Sequence, residues 1–150
     1  MGSRNVSQVV PASGFSYSAS LRVRHPVLNP QILTETLRLE PAHSWKAGEP
    51  RRSQTGAPLG GTHRDSYWAA LLPGQMVGAA SMPLEVFIGQ QLVQLGRHRD
   101  FLTELLADGG QISLLIELSA VANASLSISS ATARKLADLS IELELQFVGE

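Results

Sequence analysis

From Phe15 to Val23 the chain alternates. Phe15, Tyr17, Ala19, Leu21 and Val23 are apolar or aromatic, with Ser16, Ser18, Ser20 and Arg22 between them. A period of two is that of a half-buried strand. Its second face is small and polar, so water or a light cover is expected there. Ile141–Val148, I-E-L-E-L-Q-F-V, repeats the pattern, with Ile141, Leu143, Leu145 and Phe147 expected inward and Glu142, Glu144 and Gln146 outward. Gln111–Leu118, Q-I-S-L-L-I-E-L, reads as a buried strand, and Ser66–Leu72 as a further one.

Between these strands the period lengthens. Asn29-Pro30 opens a short helix predicted over 29–38, with Ile32, Leu33 and Leu37 on one stripe. Asn is a good N-cap, and proline at the first helical position loses no hydrogen bond. Pro41 stops any continuation. Pro83 opens the longest helical stretch, lined by Leu84, Ile88, Leu92 and Leu95, then Phe101, Leu102, Leu105 and Leu106. Gly96-Arg97-His98-Arg99 interrupts it, giving one kinked helix or two joined by a turn. Gly109-Gly110 closes it where a left-handed cap is wanted. A last helix is predicted over 127–140, capped by Ser129 or Ser130, with Ala133, Leu136, Ala137 and Leu139 inside. Residues 75–82, rich in glycine and alanine, read as a linker.

Residues 40–66 have no helical period and hold four glycines and three prolines. A structureless loop that long is unusual in a compact domain. Short strands are therefore expected, with Arg51–Thr55 pairing with Thr62–Trp68 across a turn at 56–61.

The order is β-α-(β)-β-α-β-α-β. It predicts an α+β two-layer sandwich, a mixed sheet of about 4–5 strands with helices mainly on one face. The ferredoxin-like β-α-β-β-α-β with an added α-β is the nearest topology. Leu21, Val23, Leu33, Leu37, Leu92, Leu102, Leu115, Leu136, Leu143 and Leu145 are the expected core. Residues 1–13 are polar and expected to be flexible, leaving 14–150 as one domain.

Composition narrows the classes. The chain has 150 residues, 43% hydrophobic and 17% charged, which suits a globular domain rather than a disordered or fibrous one. No apolar run reaches the ~18–20 residues of a membrane helix. There is no cysteine, which removes disulfides, thiolate ligands and thiol catalysis. The start, M-G-S-R-N-V-S-Q-V-V-P-A-S-G, has no apolar signal core, so a cytoplasmic location is expected. The net charge of −1 hides an asymmetry. Residues 1–68 hold eight Lys/Arg and four Asp/Glu, a net of +4; residues 69–150 hold four and nine, a net of −5. With an isoelectric point near 6.4 this is no nucleic-acid track. It suits an anion-friendly patch or an unevenly solvated surface.

Catalytic templates are missing: no G-x-S-x-G, no phosphate loop, no H-E-x-x-H. His25, His43, His63 and His98 are scattered, and neither a metal nor a cofactor is expected. The richest segment is 43–68, with both tryptophans. There Trp45, Lys46, Arg51, Arg52, Arg64 and Trp68 are the candidate ligand-binding residues. An indole offers a flat apolar surface, and guanidinium a forked donor for carboxylate or phosphate. Equally, Trp45 could plug the sheet and the arginines be solvated, making the loop a structural cover.

The runs S-A-S-L-R-V, L-N-P-Q-I-L-T-E-T-L, P-A-H-S-W-K-A-G-E-P-R-R and T-H-R-D-S-Y-W together resemble a bacterial family known as domain of unknown function 4279. The W-K-A-G-E turn and the S-Y-W ending are the most specific parts, and the likeness spans about residues 16–147. The resemblance implies an α+β domain, no established activity and no catalytic residues. It also implies glycine where this chain has Arg38.

Three classes of function follow. A small non-catalytic binding or interaction module comes first, either immunity-like with a protein partner or taking a small anionic ligand. A hydrolase-type enzyme would need a base, with His43 or His63 as candidate. A structural homo-oligomer would pair an exposed edge or helix face, and the oligomeric state is open. No nucleic-acid or membrane partner is expected.

Overall fold

The alternating segment at the start of the chain becomes the middle of the sheet. A computed structural model describes residues 15–73, 82–120 and 125–148. In chain order the elements are β1 (Phe15–His25), α1 (Gln31–Leu37), β2 (His43–Trp45), β3 (Pro50–Arg52), β4 (Pro58–Thr62), β5 (Ser66–Leu71), α2 (Leu84–Gly96), α3 (Arg99–Ala107), β6 (Gln111–Ala120), α4 (Ser130–Asp138) and β7 (Ile141–Phe147). Five strands form one sheet in the order β2-β5-β1-β6-β7, and β3 and β4 form a separate pair. β1 is antiparallel to β5 and β6, β2 is antiparallel to β5, and β7 is parallel to β6.

Thus β5 lies between β1 and β2, and β1 lies between β5 and β6. Two split β-α-β units interlock, the ferredoxin-like arrangement, with α4 and β7 added at one edge. The fold is the expected two-layer α+β sandwich. The parallel pair β6–β7 is possible because α4 carries the chain back.

One sheet face holds the core. Tyr17, Ala19, Leu21 and Val23 of β1, Trp68 and Ala70 of β5, and Ile112, Leu114, Ile116 and Leu118 of β6 are buried. They pack with Leu33, Phe87, Ile88, Leu92, Leu102 and Leu136 from the helices. The expected core needs correction at two leucines. Leu115 has the wrong parity: its neighbours Leu114 and Ile116 point inward, so it lies half-buried on the opposite, open face. Leu145 has the right parity but is 36% exposed, near the end of an edge strand. Leu37 and Leu143 are partly buried against the core.

The helix ends follow local chemistry. Asn29 Oδ1 accepts from the Gln31 N–H at 3.1 Å, so the predicted cap acts from just before α1. The long stretch is two helices, with Arg97 and His98 between them. Gly109 has φ +97°, as the left-handed cap requires. Gly110 donates to Leu105 O at 2.8 Å, so close that a Cβ on it would lie 2.6 Å from that oxygen. Ser129 Oγ caps α4 by accepting from the Thr132 N–H at 3.2 Å. Inside α4 the buried residues are Thr132 and Leu136, with Leu139 just after it, whereas Ala133 and Ala137 are exposed.

Residues 43–68 do contain short strands, but their register differs from expectation. β3 pairs with β4, Pro50 opposite Thr62 and Arg52 opposite Pro58. The turn is Ser53–Ala57 rather than 56–61, because Ser53 Oγ accepts from the N–H groups of Thr55 and Ala57 at 3.3 and 3.1 Å. The expected flexible segment 1–13 and most of the expected linker 75–82 lie outside the described residues.

Candidate functional site on the open face

Strand pairing aligns a row of side chains across the uncovered face. Trp45 on β2 is opposite Tyr67 on β5, and Tyr67 is opposite Arg24 on β1. Arg24 is opposite Gln111 on β6. The rings of Trp45 and Tyr67 stack at 4.8 Å, and the Arg24 guanidinium carbon lies 5.2 Å from the Tyr67 centroid. On its other side Trp45 stacks on His63, at 4.2 Å and 12° between planes. The row therefore runs from imidazole through indole and phenol to guanidinium, contacts that are individually worth about 0.5–1.5 kcal/mol.

The W-K-A-G-E turn builds one end of this row. Lys46 N–H donates to Glu49 Oε1 at 3.1 Å, and Ala47 N–H donates to the buried Ser66 Oγ at 2.9 Å. Gly48, at φ +90°, donates to His63 O at 2.8 Å, and His63 N–H donates to Glu49 O at 2.9 Å. This bonding holds His63 against Trp45.

The row beside it carries charge. Arg22 is opposite Ser113, and Ser113 is opposite Glu142. Arg22 Nη2 donates to Glu144 Oε1 at 2.6 Å, an ion pair with side chains 32% and 47% exposed. Surface pairs of this kind contribute little to stability, but this one holds the guanidinium in place. Arg22 Nε is buried and has no hydrogen-bond partner among the described residues. Beside it lies a recess of about 80 Å³ lined by Arg22, Arg24, Tyr67, Gln111, Ser113 and Glu142. A buried N–H without an acceptor is uncommon and costs about 1–3 kcal/mol, so it calls for a water or a ligand atom.

The structure divides the residues that the sequence grouped together. Trp45 is half-buried in the aromatic row. Trp68 is fully buried on the opposite face, where its Nε1–H donates to Thr34 Oγ1 of α1 at 3.0 Å. Strand alternation puts Tyr67, not Trp68, beside Trp45. Lys46 and Arg64 are exposed, as are Arg51 and Arg52 on β3, where Arg52 Nη1 donates to Gly56 O at 3.4 Å. Among the described residues no ring contact joins Trp45 to Arg51, Arg52 or Arg64; the cation over a ring is Arg24. Arg22, Arg24, Gln111, Ser113 and Glu142 were not singled out by the sequence. The S-L-R-V-R alternation of β1 carried the signal for the two arginines.

The histidines stay apart. His25 is buried, His43 is exposed on β2, His63 is in the row, and His98 follows α2. Among the described residues no three His, Asp or Glu side chains gather into a metal-binding group. No helix among them is long and apolar enough to cross a membrane. Comparison with curated proteins and with solved structures gave no match. A family model does match, covering residues 15–148 and so the whole sheet with its helices. The chain belongs to the family described as Domain of unknown function (DUF4279).

Proposed function

We propose that this domain is a non-catalytic binding module whose site is the open-face recess, and that it takes a small carboxylate carrying a neighbouring ammonium group. The supporting observation is the buried Arg22 Nε–H, held by the Glu144 pair and without an acceptor among the described residues. A carboxylate oxygen would satisfy it, with Arg24 supplying a second cationic donor. Glu142 lines the same recess, so a bare anion meets repulsion there, whereas an ammonium group on the ligand meets a partner. About 80 Å³ suits an amino-acid head group rather than a large ligand. A ring on that ligand would lie along Tyr67 and Trp45.

The test is a titration followed by NMR with a matched pair, L-phenylalanine and 3-phenylpropionate. Saturable binding is expected for both, tighter for L-phenylalanine. Arg24→Ala should weaken both, and Glu142→Gln should remove the difference between them. An Arg51→Ala, Arg52→Ala double variant should bind like the wild type. Silence of both probes at millimolar concentration, or loss of binding in the double variant alone, overturns the reading.

A further inference from the structure

The face opposite the recess has a larger cavity. A cleft of about 320 Å³ opens between the end of α1, the end of β5 and the second half of α2. Leu37, Leu39 and Leu72 form its apolar part, and Gln91, Gln94 and His98 line it from α2 and the turn after it. Arg38, with φ +58°, is the left-handed residue between Leu37 at the end of α1 and Leu39. Arg38 itself is exposed and does not line the cleft.

Two features define what fits. Among the described residues no Asp, Glu, Lys or Arg lines the cleft, so a charged ligand would lose its hydration without meeting a permanently charged partner. The glutamine amides are also uncommitted: among the described residues, neither Gln91 nor Gln94 makes a side-chain hydrogen bond to the protein. Each therefore presents a carbonyl acceptor and an NH₂ donor side by side. Such an edge pairs in two-point fashion with a heterocycle that offers a donor next to an acceptor, as glutamine does with adenine. The leucines supply apolar surface for the faces of a flat ring. The volume lies at the lower end of the range for small-molecule sites, about 300–1,000 Å³.

We infer that this cleft is a second binding site, for a neutral planar heterocycle of the nucleobase class. It is separate from the open-face recess and does not depend on it. The probes are adenine as the neutral heterocycle and benzoate as a charged ring of similar size. In ¹H–¹⁵N spectra of the full chain, adenine should shift the amides of Leu37, Leu39 and the Gln91–His98 turns, together with the glutamine side-chain NH₂ signals. Saturation is expected in the millimolar range or below, and benzoate should leave those signals in place.

Gln91→Glu keeps the shape but replaces a donor with a charge. It should weaken adenine binding at least fivefold with an unchanged thermal midpoint. Gln94→Glu, further toward solvent, is the second variant should the first fail to fold. Absence of shifts at the solubility limit of adenine overturns the inference. So do equal shifts with benzoate, or adenine binding that both variants leave unchanged.

Discussion

Trp68 Nε1–H and Thr34 Oγ1, 34 positions apart in sequence, form a 3.0 Å hydrogen bond beneath α1. The indole is fully buried, so this bond has no water to replace it. Trp68→Phe should therefore cost about 1–3 kcal/mol, from lost packing and from an unpaired hydroxyl. Trp45→Phe keeps an aromatic ring on a half-exposed row and should cost less than about 1 kcal/mol. Urea unfolding of the two variants checks the order. A larger loss for Trp45 would contradict the assignment of the two indoles to opposite faces.

Arg38 ends α1 in the left-handed region at φ +58°. A non-glycine residue there loses about 1–2 kcal/mol, and glycine returns part of this through a freer unfolded chain. The glycine that the family resemblance implies at this position thus has a physical reason. Arg38→Gly should stabilise the domain by about 0.5–1 kcal/mol. A thermal midpoint that falls in this variant would show that the Arg38 side chain contributes more than the backbone costs.

His25 ends β1 at 4% exposure, and its Nδ1 accepts from the N–H groups of Val27 and Leu28 at 3.1 and 3.0 Å. It ties the turn into α1. His25→Ala leaves both amides without this acceptor and should cost about 1–3 kcal/mol. Asparagine places an oxygen near the same point, so His25→Asn should recover part of the loss. Hydrogen exchange at Val27 and Leu28 reads this directly, with protection lost in the alanine variant and partly kept in the asparagine one.

Glu85, in the first turn of α2, accepts from the Ser129 N–H at 2.6 Å. Hydrogen bonds from Ser129, and then from Thr132, hold its carboxyl below the usual range. A lowered folded-state value stabilises the fold above the ordinary carboxylate range, and that stability is lost as pH falls through the folded value. Glu85→Gln should therefore flatten the acid side of the stability profile and leave its shape above neutrality unchanged. Unfolding midpoints between pH 3 and 7 make the comparison. Parallel wild-type and variant profiles would remove Glu85 from the acid response.

Much of the architecture is readable along the chain because it rests on local periods. The alternation at 15–23 needs only backbone pleat and one dry face to become β1. Asn29-Pro30, Ser129 and Gly109 act within a few residues of themselves, so their roles are visible as letters. Parity is harder. Four apolar residues within Ile112–Ile116, separated only by Ser113, leave the inward set undecided until Leu114 is seen beneath the helices.

The site is different, because it is made by partners. Trp45, Arg51 and Arg52 are close in sequence, and proximity suggested one cluster. The hairpin β3–β4 instead carries the arginines out to solvent, while β2 pairs with β5 and sets the indole beside Tyr67. Likewise nothing near Arg22 in the chain names Ser113 or Glu142. They meet it because two interlocked crossovers put β6 beside β1, and α4 then returns β7 to β6. That also joins the basic first half to the acidic second half through Arg22 and Glu144. Local preference sets which residues form strands and which face is dry, whereas the choice of neighbouring strand is a long-range packing decision, and the open-face recess exists only after it is made.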